Sequence, residues 1–466
     1  MLFTSPVFLF LFLPLVLLLS LPRSLPWQNG FLLFASLFFY AWGGVSYSAI
    51  LAASILLNYG FGRWIGAKQS PKASKYILGL GVGINLSILV VFKYANFLVE
   101  NLNLWRPPAE AIPWQGIILP LGISFFTFQA ISYLVDVYRG EVKAQKSLIK
   151  LGLYIALFPQ LIAGPIVRYK DLAAQLTQRG RSLDSFVRGI ERFTLGLAKK
   201  LILANSIGII ADNAFAGPAE ELNFILAWWA LLAYSLQIYF DFSAYSDMAI
   251  GLGLMLGFNI PENFNFPYVA RSVREFWRRW HISLSTWFRD YLYIPLGGNK
   301  VSPRRLYFNL FLVFFLTGFW HGASWNFIVW GLLHGAFLLF ERSFGPFQWP
   351  ALIQRIYTLL AVGIAWVFFR CENLSESLTY LRVLMGLGDQ AISTESLYAY
   401  FSTQNIFFVC LGILASTPLL QKIGRSLQRD LKWAPYLKSV GVCLLLLLSA
   451  IYVSGSLYNP FIYFRF

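Results

Sequence analysis

The sequence predicts an all-α polytopic membrane protein, and three observations carry that prediction. Residues 2–21, 222–240 and 440–458 are uncharged apolar runs, each about the 20 residues a helix needs to cross the hydrocarbon core. Hydrophobic residues make up 58% of the 466-residue chain and charged residues only 12%, against about 25% charged in soluble domains. Mean hydropathy is +0.61, and a chain of this size with so little charge cannot cover a water-facing surface. Lys and Arg gather in short loops between the apolar runs, the pattern of cytoplasmic membrane loops. A soluble protein is thereby excluded. So is a β-barrel, whose spans alternate over about ten residues instead of running continuously apolar.

The elements follow in order. Residues 2–21 read as a retained first span, since no basic segment precedes them and no small-x-small site stands before Pro22. Residues 30–44, 47–65, 76–99, 117–135, 151–167 and 201–210 are shorter or punctuated candidates. After 222–240 come 308–320 running on through 323–340, then 357–369 and 406–420. About ten to twelve membrane helices are expected, some of them short or re-entrant. With no Gly/Ser-rich linker and no soluble insert, residues 1–466 read as a single membrane domain.

Two polar stretches interrupt it. Residues 168–200 carry Leu172, Leu176, Leu183, Phe186, Ile190 and Phe193 at near-helical spacing, with Arg179, Arg181, Arg188 and Arg192 among them. That predicts amphipathic helices on the cytoplasmic face. Residues 261–305 open with the proline-bounded PENFNFPY and continue into a helix expected from about Ser272. Trp277, Trp280, Leu284, Trp287 and Tyr291 share one face of it, while Arg274, Arg278 and Arg289 fall elsewhere, which predicts a cytoplasmic or interfacial helix.

Net charge is +16. Placed in short loops, it follows the positive-inside rule rather than a nucleic-acid footprint. With Arg23 after the first span and an acidic loop at 217–221, the N-terminus is expected on the non-cytoplasmic side. Cys371, Cys410 and Cys443 form no CxxC pair, so neither a disulfide framework nor a metal cage is implied. No P-loop pattern is present, which removes the usual signature of ATP-driven pumping.

The chain has only three histidines, His281, His321 and His334, and intramembrane ionisable groups are costly enough to be functional candidates. His321 stands in TGFWHGASWN (317–326), flanked by Gly318 and Gly322, small residues that let a substrate or another backbone approach closely. A buried imidazole is held in its neutral, basic form and suits removal of a proton from a hydroxyl. The alternative is a structural histidine bonded to a backbone carbonyl. His334, in WGLLHGAF, is expected to pack or to support the site. Gln129, Gln160, Asp241, Ser243, Tyr245 and Asp247 interrupt apolar blocks; they line a cavity or join helices by hydrogen bonds.

REFWRRWHISLSTWFRDYLYIPLGG (274–298) followed by LTGFWHGASWNFIVWGLLHG (316–335) resembles the membrane-bound O-acyltransferase family. Residues 119–140, 157–169, 239–258 and 459–466 support the likeness, which covers nearly the whole chain and is closest to members that O-acetylate alginate, other exopolysaccharides or peptidoglycan. The resemblance implies a ring of membrane helices around a tunnel open to both sides. It places His321 at the family's Trp-His-Gly catalytic position and His281 at a second position facing the same tunnel. It implies acetyl-CoA as donor substrate, no other cofactor or metal, and a bacterial inner-membrane location. His321 would act as general base on the acceptor hydroxyl, with acylation of the protein itself left open. Arg278 and Arg279 would meet the donor's phosphates or lipid headgroups. Trp320, Trp325 and Asn326 would shape the tunnel or pack. A periplasmic acetyltransferase of serine-hydrolase type and polysaccharide export machinery are the implied partners. Two further readings stand beside this one: D-alanyl transfer to teichoic acid, and a polysaccharide or lipid transporter. The absence of an obvious repeat weighs against the transporter.

Overall fold

The computed structural model describes residues 1–20, 24–67, 70–216, 222–345, 347–388, 398, 400–455 and 458. Arg23, Lys68, the acidic loop 217–221 and the segment 459–466 lie outside the described residues. Among the described residues the regular structure is entirely helical. The principal helices are α1 (Phe8–Ser20), α2 (Leu25–Ala41), α3 (Val45–Gly66), α4 (Pro71–Asn103), α5 (Ile123–Tyr138), α6 (Leu148–Ala156), α7 (Leu183–Ala216), α8 (Phe224–Leu256), α9 (Val273–Arg279) and α10 (Ile282–Phe288). They continue with α11 (Pro303–His321), α12 (Trp325–Phe344), α13 (Ala351–Arg370), α14 (Leu374–Leu384), α15 (Thr403–Ala415), α16 (Leu419–Asp430) and α17 (Ala434–Gly455).

Among the described residues, seven helices are long and apolar enough to cross a bilayer, or eight if α15 and α16, bent by 67°, form one broken span; α1 and α5 are shorter apolar helices. The expected spans that fall short do so for local reasons. Residues 151–167 divide after Ala156: Leu157 leaves helical geometry, Pro159 stands in the first turn of a short helix at Phe158–Leu161, and Gly164 follows it. The helix expected from 117 begins only at Ile123, after Pro120 and a left-handed Gly122. Residues 183–200, expected as surface helix, run unbroken into 201–216 as the 34-residue α7.

The chain divides into two compact units. The first comprises Met1–Phe193, Met248–Pro261 and Arg289–Tyr291. Its centre is α5, buried along most of its length. A Cβ at Gly62 of α3 would lie 2.2 Å from the Tyr133 hydroxyl, so glycine is what lets α3 rest on α5. Asn58 and Asn85 exchange side-chain amide bonds of 3.1 and 2.9 Å between α3 and α4, satisfying polar groups that lipid would leave bare. Asp290 pairs with Arg168 and Arg289, and Tyr291 donates to Asp136 at 2.7 Å. Burial alone would raise the Asp290 carboxyl, but the two guanidiniums hold it below the ordinary carboxylate range.

The second unit comprises Thr194–Asp247, Glu262–Phe288 and Leu292–Phe466. Lys200 and Asp241 form a buried ion pair at 2.6 Å, and Lys199 pairs with Asp247. The carboxylates of α8 thus neutralise α7, which is how α7 carries the buried Lys200 and the half-buried Lys199. In α17 only Ala434 and Ser449 are buried, as befits a helix whose surroundings are lipid. The cores of α11 and α12 are in the closest approach in this unit: a Cβ at Gly318 would lie 2.3 Å from the Phe327 carbonyl oxygen, and one at Gly331 2.4 Å from that of Phe314.

Candidate active site

All three histidines fall in the second unit, and they gather in one aromatic layer. The helix expected from Ser272 is broken where it matters. Ser272 caps α9, accepting from the Glu275 N–H, and the chain leaves helical geometry at Trp280 before α10 begins at Ile282. Between the two helices His281 adopts φ +44°, a left-handed conformation that a non-glycine residue holds only when its surroundings impose it. Asn263 imposes it. Its backbone oxygen accepts from Ile282 N at 3.0 Å, and its side-chain oxygen accepts from Ser283 N and Oγ at 3.1 and 2.9 Å. His281 Nδ1 lies 3.2 Å from the same oxygen. An acceptor there selects the tautomer with its proton on Nδ1 and leaves Nε2 as the basic nitrogen. Burial pushes His281 down to about 3, so it is neutral across the physiological range.

His321 ends α11 and is 4% exposed. Its ring centroid is 6.3 Å from that of His281, 5.0 Å from Trp320, 4.8 Å from Trp330 and 5.4 Å from Phe369. Edge and face contacts with aromatic rings position the imidazole. Phe369 is held by its neighbour: Arg370 pairs with Asp212 at 3.1 Å, and Asp212 also accepts from the Tyr458 hydroxyl at 2.6 Å. His334 Nδ1 accepts from Trp277 Nε1 at 3.3 Å and packs on Trp330 at 5.0 Å. Of the glycines beside His321, Gly318 admits the backbone of α12, and Gly322 admits a side chain, since a Cβ there would lie 2.1 Å from the Phe327 ring.

The remaining candidates separate. Trp320 is buried beside both histidines. Trp325 is 52% exposed, on the outside of α12. Asn326 donates to the Cys371 carbonyl at 2.7 Å and to Ser377 Oγ at 3.3 Å, tying α12 to α14. Arg278 is exposed, while Arg279 is taken by Glu275 at 2.8 Å and the Asn265 carbonyl at 3.1 Å. Asp241 belongs to the ion pair with Lys200. Ser243 and Tyr245 are buried on α8, which reaches His281 through Phe242, centroids 4.7 Å apart, and through Ser246, which accepts from Asn263 at 3.1 Å. Gln129 is fully buried on α5 of the first unit, its side-chain amide without a hydrogen-bond partner among the described residues. The tryptophans of residues 273–288 are buried in protein: Trp277 and Trp280 are 7% and 3% exposed, packed on Phe276 and Trp366.

Asn263 and Trp330 escape a sequence reading. Asn263 stands in a coil between prolines with no periodicity to mark it, and Trp330 looks like one more apolar residue of a span.

Residues 141–375 match the model of the MBOAT, membrane-bound O-acyltransferase family. The chain is 40% identical to the probable alginate O-acetylase AlgI of Pseudomonas putida over the full length of both. It is 46% identical to the protein of the same name from Azotobacter vinelandii over 84% of this chain and 80% of the relative. It is also 35% identical to the peptidoglycan O-acetyltransferase of Helicobacter pylori over 100% of this chain and 98% of the relative. An all-helical chain with seven or eight candidate spans, matched in these ways, is a multi-pass membrane acyltransferase: it belongs to the membrane-bound O-acyltransferase family.

Proposed function

We propose that this enzyme takes an acetyl group from acetyl-CoA and passes it on for O-acetylation of a secreted polysaccharide, alginate or a related polymer, in the inner membrane of a bacterium. The observation that carries the proposal is the pairing of His321 with His281 in a buried aromatic layer, centroids 6.3 Å apart, in a chain whose full-length relatives are named for alginate and peptidoglycan O-acetylation.

The chemistry follows from the environment. His321, among aromatic rings, removes the proton of an acceptor hydroxyl as its oxygen attacks the thioester carbonyl. The tetrahedral intermediate collapses with expulsion of the coenzyme A thiolate, which recovers the proton from the His321 imidazolium. His281, with Nδ1 turned to Asn263, presents Nε2 to the same region and orients the reacting groups. A periplasmic acetyltransferase of serine-hydrolase type is the partner that completes delivery to the glycan.

Polymer-bound acetyl in cells carrying wild type, His321→Ala or His281→Ala, at matched membrane protein levels, tests this. Acetylation falling to background in His321→Ala is expected. Wild-type acetylation in both variants overturns the reading.

A further inference from the structure

The second unit holds a cavity of about 550 Å³ lined by Arg271, Ser272, Arg274, Glu341, Arg342 and Gln354, among others. It lies where α12 ends and α13 begins. Its only carboxylate is engaged: Glu341 is buried and accepts from Arg274 N at 3.0 Å and from Val273 N. Arg271, Arg274 and Arg342 are exposed, and none of their guanidiniums forms an ion pair with a carboxylate among the described residues. Three guanidiniums outnumber the one carboxylate that lines the cavity, which favours an anion there, and the planar fork of arginine matches phosphate oxygens.

We infer that this cavity is a docking site for a phosphate group. The arginines expected to meet phosphate, Arg278 and Arg279, are not the ones that line it. The cavity stands at the N-terminal end of α9 and His281 just beyond its C-terminal end. Seven helical residues make roughly 10 Å, so a ligand with phosphate at one end and a reactive group on a flexible arm spans from one to the other. A coenzyme A thioester has that form. An anionic phospholipid headgroup at the membrane face has the same phosphate chemistry. The coenzyme A source rests on the acetyl-donor reading above; phosphate docking itself does not.

The test uses the full chain in phosphatidylcholine nanodiscs, with Arg274→Gln/Arg342→Gln and Arg274→Lys/Arg342→Lys as variants and thermal unfolding as the check on folding. Coenzyme A without an acetyl group is titrated, and phosphatidylglycerol enrichment around the protein is measured separately. Binding of either probe at least about tenfold weaker in the Gln variant, with the Lys variant between, supports the site. Loss of coenzyme A binding assigns the phosphate to a soluble donor, and loss of phosphatidylglycerol enrichment alone assigns it to lipid. Folded variants that bind both probes like wild type overturn the inference. Neither readout requires acetyl transfer, so failure of that reaction leaves the result interpretable.

Discussion

The two units bury polar groups to different ends. In the first, Asn58 meets Asn85, Asp136 meets Tyr291, and the half-buried Asp290 meets Arg168. Such pairs hold helices together and leave little reactivity to spare. In the second, the imidazoles of His281 and His321 sit against Phe242, Trp320, Trp330 and Phe369. Aromatic walls fix a ring's place. Burial costs free energy in both units; in the second it also keeps the imidazole of His281 uncharged.

That contrast predicts a graded series of effects. The largest belongs to Gly318→Ala. Its Cβ would meet the Phe327 carbonyl oxygen at 2.3 Å, backbone that cannot swing aside. Separation of α11 from α12 should cost about 3 kcal/mol and abolish activity, read as lost membrane yield and acetyl transfer together.

Asn263→Ala should lower kcat about tenfold to a hundredfold while donor KM stays within about threefold. Asn263→Asp, which keeps the acceptor oxygen for His281 Nδ1, should recover part of that loss. An equal fall in protein yield without a change in kcat per folded molecule would reduce Asn263 to a structural residue.

Asn58→Ala in the first unit is the counterpart. It should cost about 1 kcal/mol in thermal unfolding and leave kcat per folded molecule unchanged. A kcat loss as large as that of Asn263→Ala would erase the distinction between the units.

The smallest effect concerns pH. The carboxyl of Asp290 is held below its ordinary range by Arg289 and Arg168. The unfolded chain therefore binds the proton first, and the pair's contribution, present above the unfolded value of about 3.9, is lost as pH falls through the lower folded value. Thermal unfolding between pH 7 and pH 3 should show a shallower acid dependence in Asp290→Asn than in wild type.

The helical class, the membrane setting and the block around His321 were legible because each rests on local composition or on a contiguous motif. The break at His281 was not. Trp277, Trp280, Leu284 and Trp287 keep their helical spacing straight through it, so periodicity describes one helix as well as two, and only the backbone at φ +44° separates them. The extent of α7 was hidden for a related reason. Lys199 and Lys200 read as surface charges until Asp247 and Asp241, more than 40 residues along, neutralise them. Gly318 and Gly331 are small residues in two different spans, and nothing local announces that they touch. The pairing of Arg279 with Glu275 was equally hidden, because proximity to the motif cannot reveal which guanidinium already has a carboxylate.

The most direct test of the central claim is the rate at which the purified chain consumes acetyl-CoA in the presence of a hydroxyl acceptor, wild type against His321→Gln, with donor affinity measured separately on both. The account predicts a rate at least about a hundredfold lower in the variant with donor affinity within about threefold of wild type. Equal rates in a folded His321→Gln protein would contradict it, and would leave His321 as one more ring in an aromatic core.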